Sequence, residues 1–288
     1  MTQYKYHLDK SSKKFNCPKC NKKCFVKYIE TETGHYADSQ YGRCDREIKC
    51  GYFEYPNGNS IISYNYVAPP PIKPTYIDKE ILQKTLTKYE INPLVNFLYN
   101  NYNSENVDNV IQKYKVGTAK WNGGSTIFWQ TDNLGKVRSG KIMAYDTSTG
   151  KRIKTPEGKP NINWVHKLNN NNNFSLKQCL FGLHLLGDQT KRIAIVESEK
   201  TALIMSIELP EYTWMASGSL SGFKDEFLAP LKGFSIVAFP DKGGYDNWYK
   251  KALELNSKGF YIEVSSILED DKFNDGCDLV DILRWNNN

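Results

Sequence analysis

Hydrophobic and polar positions along the chain fall into blocks of different period. In residues 1–66, stretches such as FVKYIE and the region around GHYAD alternate aromatic and polar side chains, which predicts short antiparallel strands. VAPPPIKPT follows, with four prolines between Pro69 and Pro74, so residues 67–76 read as an extended spacer. Roughly 78–116 has helical spacing: Ile81, Leu82 and Leu86, then Leu94, Phe97 and Leu98 after a helix-starting Pro93, then Val107, Val110 and Ile111. From Tyr114 to Lys154 the period returns to two in YKVGTAK, STIFWQTD, KVRSGKIMAYD and KRIK, with turns at NGG, DNLG and STG, which predicts a β-meander. The asparagine tract at 169–173 reads as a loop. Residues 191–288 alternate strands (RIAIV, YTWMASG, FSIVAFPD, FYIEVSSI) with helical segments (TALIMSIEL, a run through Tyr249 to Leu255, DLVDIL). Such alternation implies a mostly parallel, Rossmann-like sheet, with function gathered at the strands' C-terminal ends.

The expected organisation is therefore multi-domain, α+β and α/β. A small β unit spans 1–66, a mixed α+β domain spans 77–190, and an α/β domain spans 191–288. No run of about 18 apolar residues is present, so a membrane helix is not expected. The basic N-terminal stretch MTQYKYHLDKSSKK has no apolar segment behind it, and the expected compartment is the reducing cytoplasm. Charge is uneven: net +4 over 1–66, +7 over 67–190 and −5 over 191–288, within an overall +6. A basic front and an acidic end suit a protein that holds polyanions with one part and cations with the other.

Five of the seven cysteines lie in the first 50 residues. Without a secretory signal, metal is a better reading than disulfides. Cys17-Pro-Lys-Cys20 is a knuckle that aims two sulfurs at one point, and Cys44 and Cys50 supply a second pair. Two pairs on short strands describe a zinc ribbon, in which four thiolates enclose a structural Zn2+. The second pair is widely spaced, which leaves Cys24 and His35 as substitute ligands; Cys17, Cys20, Cys44 and Cys50 are the favoured set. In the middle block, Lys136, Arg138, Lys141, Lys151, Arg152 and Lys154 accompany Trp121, Trp129 and Tyr145. Cations interleaved with rings suit a nucleic-acid surface; a solvated basic face over an aromatic core is the plainer alternative.

Two strand ends in the last block carry acids, Glu197 and Asp241, with Asp246, Asp278 and Asp281 as further carboxylates. Such a group suits a hard divalent cation, although strand-end acids also cap helices. Glu199 reads as a first-turn acid favoured by the helix dipole. IVESEKTALI, a G-S-L-S-G turn and AFPDKGG together resemble the Toprim domain of DnaG-type primases, type IA topoisomerases and OLD-family nucleases. Glu197 and Asp241 match that motif. Gly243 stands where the second acid of its D-x-D pair belongs, with Asp246 and Asp278 as stand-ins. DLVDIL resembles the segment that ends many phage primase Toprim domains, and GKVRSGKIM resembles a basic strand of the primase middle domain.

With the N-terminal ribbon, the whole resembles primase-like proteins of phages and mobile elements. That resemblance implies a DNA primase, a nucleotidyltransferase that makes short RNA primers on single-stranded DNA during DNA replication. It also implies nucleoside triphosphates as substrates and Mg2+ or Mn2+ at Glu197 and Asp241. Lys200 would face the phosphates, and Lys136, Arg138, Lys141 and Trp129 would hold template or nucleotide. No helicase P-loop motif is present, so a replicative helicase would be a separate chain. A metal-dependent Toprim nuclease and a non-catalytic zinc-ribbon DNA-binding replication protein are the competing readings.

Overall fold

In the computed structural model, the residues described are 4–11, 13–56, 73–168, 174–187 and 192–286. The asparagine tract, most of the proline-rich spacer and the last ten residues of the first block lie outside them. The chain divides into two compact units, Met1–Pro71 and Ile72–Asn288.

The first unit is built from β1 (Tyr6–Leu8), β2 (Phe15–Asn16), β3 (Lys23–Glu30), β4 (Gly42–Cys44) and β5 (Phe53–Glu54). They form one sheet of order β1-β3-β4-β5, with β2 also paired to β3. Every pairing is antiparallel. Its core is small: Cys17, Phe25, Cys44 and Cys50, with Phe15, Cys20, Cys24 and Tyr52 packed around them. With Val26 and Tyr28 the only further buried apolar side chains among the unit's described residues, a metal bound by the cysteines would contribute much of the unit's stability.

The second unit begins with α1 (Lys79–Gln83), α2 (Pro93–Asn101) and α3 (Ser104–Lys113). Asp78, Asn92 and Asn103 cap them by accepting from backbone N–H groups. An antiparallel sheet follows, β6 (Gly117–Ala119), β7 (Ser125–Thr131), β8 (Val137–Met143) and β9 (Ile162–Trp164), then the single turn α4 (Val165–Leu168). KRIK is not one of its strands: Arg152 and Lys154 make only isolated bridges, to Tyr145 and Pro160. The charged run cannot bury both faces, and Ile162–Trp164 takes the edge position on β8 instead.

The remaining elements are β10 (Ile193–Val196), α5 (Glu199–Glu208), β11 (Thr213–Ala216), α6 (Asp225–Leu228), β12 (Ser235–Phe239), α7 (Tyr245–Asn256), β13 (Tyr261–Val264) and α8 (Leu279–Asn286). The four strands form a sheet of order β11-β10-β12-β13, parallel throughout. Strand period two sorts its residues: Ile193, Ile195 and Met215 join a core with Trp248 and Ala252 of α7. Ala194, Val196, Trp214 and Ala216 join a core with α2, α3, α5 and α8, to which Phe128, Met143 and Tyr145 of the antiparallel sheet region also belong. The two sheets thus share one hydrophobic core. A separate cluster of Ile77, Leu82, Ile127, Trp129, Val137, Ile142 and Val165 covers the other face of the antiparallel sheet.

Candidate functional site

After β10 the chain turns through α5 to β11 on one side; after β12 it turns through α7 to β13 on the other. Neighbouring strands whose connections leave in opposite directions open a crevice at their C-terminal ends, where ligands of parallel sheets bind. Val196 and Phe239 are register partners at that edge, so Glu197 and Asp241 emerge side by side. The Asp241 backbone lies close enough to favour the ionised Glu197 carboxylate. Gly244 packs tightly here: a Cβ there would lie 3.1 Å from Glu197 Oε1 and 3.0 Å from the Asp241 carbonyl oxygen, crowding both.

Asp278 is delivered from the chain's far end. Lys242 N donates to Cys277 O at 2.9 Å and Gly276 N donates to Lys242 O at 3.2 Å, which lays 276–278 beside the Asp241 turn. Asp278 also opens α8, accepting from Val280 N at 2.9 Å and Asp281 N at 3.2 Å, and takes Thr201 Oγ1 at 2.6 Å. Burial, then the charges of Glu197 and Asp278, push the Asp241 carboxyl up to about 8; the Arg152 charge opposes them and Asp281 adds to them. Glu197 is also raised, mainly by burial. Half-buried carboxylates that resist ionising together form a site that a divalent cation would relieve.

Asp246 does not join them: it is exposed in the first turn of α7. At Gly243, which occupies the motif's second-acid position, the backbone N–H groups of Gly243 and Tyr245 are taken by Glu269, at 3.0 and 3.2 Å. Lys200 Nζ reaches Gly150 O at 3.4 Å.

Arg152, placed by sequence only among the basic strands, stands beside the acids. Asp146 Oδ1 accepts from Ser148 N and Thr149 N, which fixes the turn that carries it. Arg152 Nη2 donates to Ser198 Oγ at 3.1 Å, and its charge acts on Glu197, Asp241 and Tyr145. Among the described residues no carboxylate lies within ion-pair distance of it, so its charge is available to an anion. The STG turn was the signal for this: it folds KRIK back onto Tyr145.

Three sequence assignments to a nucleic-acid surface need correction. Trp129 is 0% exposed and its Nε1 donates to Thr85 Oγ1 at 3.0 Å, so no ring face is open to a base. Lys141 is buried, with its Nζ donating to Glu199 Oε1 at 3.0 Å, Glu199 Oε2 at 3.1 Å and Gly218 O at 3.0 Å. Every ammonium proton is used, and Glu199, which does lie in the first turn of α5, is its buried partner. Arg138 is the extra residue of a bulge between β7 and β8, aimed at Asp132, with Nε and Nη2 both 2.7 Å from Oδ2. Its guanidinium also covers the Tyr76 ring at 4.8 Å. Lys136 stays exposed, its Nζ 5.8 Å from the same ring.

In the first unit, the sulfurs of Cys17, Cys20, Cys44 and Cys50 lie within 4.8 Å of one another. The 3.7 Å between Cys17 and Cys50 and the 4.0 Å between Cys20 and Cys44 suit the edges of a tetrahedron with metal–sulfur bonds of about 2.3 Å. The set fits Zn2+. His35 is exposed, its backbone closing the turn onto Glu30. Cys24 lies 3.5 Å from Cys44.

A family model described as a domain of unknown function, DUF6371, matches residues 92–242, more than half of the chain and both strand-end acids. The chain belongs to that family. A zinc β-ribbon finger family matches residues 4–62. No curated protein matches the chain. Among solved structures, the RNA polymerase domain of Mycobacterium tuberculosis primase DnaG is 12% identical, with a TM-score of 0.46, covering 71% of this chain and 76% of that one. The Escherichia coli primase catalytic core is 14% identical, with a TM-score of 0.44, covering 70% and 73%. The primase fragment of the bacteriophage T7 primase-helicase protein is 15% identical, with a TM-score of 0.42, covering 88% of each chain.

Proposed function

We propose that the protein is a Toprim-type, primase-like nucleotidyltransferase that joins nucleotides on a single-stranded DNA template. The observation that carries this reading is the meeting of Glu197, Asp241 and Asp278 at the crevice of the parallel sheet, with Arg152 beside them. Glu197 and Asp241 would hold Mg2+ or Mn2+, with Asp278 close by. Bound there, the ion offsets charge on a transferring phosphoryl group. Arg152 supplies a planar fork for phosphate oxygens, and Ser198 Oγ orients it. Exposed Lys151, Lys154 and Lys159 continue the basic surface from Arg152 and suit a polynucleotide backbone. The Lys141–Glu199 pair ties β8 to the start of α5 and to Gly218, which keeps this surface in register with the acids. The ribbon would clamp template, and a helicase would open the duplex.

Labelled nucleoside triphosphates with single-stranded DNA and Mg2+ or Mn2+ test the reading. Short oligomers that disappear with Glu197→Ala support it. DNA cleavage without added nucleotide would point to the nuclease reading instead, and neither activity over varied templates would leave only binding.

A further inference from the structure

Cys24 is a fifth thiol at a site that needs four. It stands on β3, where Phe15 pairs with Phe25 but Asn16 pairs with Lys23, so Cys24 is the residue skipped by a β-bulge. Strict alternation would turn it away from Cys44, whose register partner is Phe25. A bulge re-aims the side chain it skips, and here it brings Cys24 Sγ to 3.5 Å from Cys44 Sγ. The two strands hold this approach, with Asp45 N donating to Cys24 O at 2.8 Å. Cys44 is buried, whereas Cys24 is half-buried and reachable from solvent.

We infer that Cys24 is an oxidation site, joining Cys44 in a disulfide when a hydroperoxide reaches the ribbon and so releasing zinc. In the first step the peroxide transfers one oxygen to one sulfur of the pair, breaking its O–O bond and leaving a sulfenic acid and water. In the second, the other sulfur attacks the sulfenic sulfur, the S–S bond forms, and a second water departs. The Cys24 thiol hydrogen, one proton taken from solvent as zinc leaves the Cys44 thiolate, and one hydrogen peroxide become one disulfide and two waters, so the step balances. Zinc then keeps three of its thiolates, in a unit that draws much of its stability from the metal.

The test uses the zinc-loaded full chain, Cys24→Ser and Cys24→Ala, treated with hydrogen peroxide and followed by a chromogenic zinc chelator and a non-reducing peptide map. The expected result is stoichiometric zinc release with a Cys24–Cys44 disulfide in the parent. Both variants should load zinc normally and release it severalfold more slowly, with Cys44 recovered as sulfinic acid or unchanged. Equal release rates, or a disulfide between other cysteines, would overturn the inference. So would a Cys24 variant that cannot load zinc, since Cys24 would then be a ligand rather than a spare thiol.

Discussion

Asp241 pairs a strand end with a carboxyl that burial and two neighbouring acids hold protonated to about pH 8. A carboxyl raised above its unfolded value of 3.8 binds more protons in the folded state, so metal-free stability falls as pH climbs from about 4 to about 8. Asp241→Asn should therefore raise Tm by several degrees at pH 7.5 in chelator while abolishing the stabilisation that added Mn2+ gives the parent. Thermal melts with and without Mn2+ read both effects, and a lower metal-free Tm would count against the electrostatic picture. His184 has the opposite dependence. Its Nε2–H donates to Lys113 O at 3.0 Å, its Nδ1 is buried without a partner, and burial lowers its pKa to about 4. The unfolded chain then binds the extra proton between about pH 6.5 and 4, and stability falls across that window as pH drops. His184→Gln should flatten this part of the stability–pH curve, measured by urea unfolding at pH 7 and pH 5.

At the scale of elements, β-bulges and buried pairs set the chemistry. Arg138 and Cys24 are each the residue skipped in a strand pairing, and each is turned toward a partner that simple alternation would not supply. This is why both were hard to assign from sequence: the period of two is visible in STIFWQTD and FVKYIE, but a one-residue slip leaves no mark in it. Lys141 and Glu199 are 58 residues apart, and neither segment signals the other. Removing one member leaves a buried unpaired charge, so Lys141→Met or Glu199→Leu alone should cost about 3–5 kcal/mol. The double substitution should recover most of that loss, and a double-mutant cycle from denaturant unfolding measures the coupling. Additive losses would show that the pair does not hold the two segments together.

Over the whole molecule, the parts that local pattern governs were readable and those that long-range packing governs were not. Turn and period placed the strands and helices of 192–286 closely, because each βα unit is locally consistent. The core shared by the two sheets was not readable: Phe128 and Trp214 look alike as isolated apolar residues, and only the fold puts them in one cluster. Arg152 was readable only in part: the STG turn signals that KRIK folds back onto Tyr145, but not that the Arg152 charge meets the acids. The two compact units differ in what sustains them. Residues 72–288 have extensive apolar cores, whereas the N-terminal unit packs its cysteines among only a few buried apolar side chains, Phe25, Val26 and Tyr28. Stripping zinc with a strong chelator should remove hydrogen-exchange protection from β3 and β4 while leaving β7, β10 and β12 protected. Loss of protection across both units would contradict that division.

In the proposed mechanism Glu197 and Asp241 act together as a divalent-cation site. Electron paramagnetic resonance of Mn2+ titrated into the zinc-loaded chain tests it most directly, because it needs neither template nor nucleotide. Saturable Mn2+ binding is expected, displaced by Mg2+ and removed by Glu197→Gln and by Asp241→Asn, with Asp246→Asn unchanged. Mn2+ binding that survives both substitutions, or none in the parent, would contradict it.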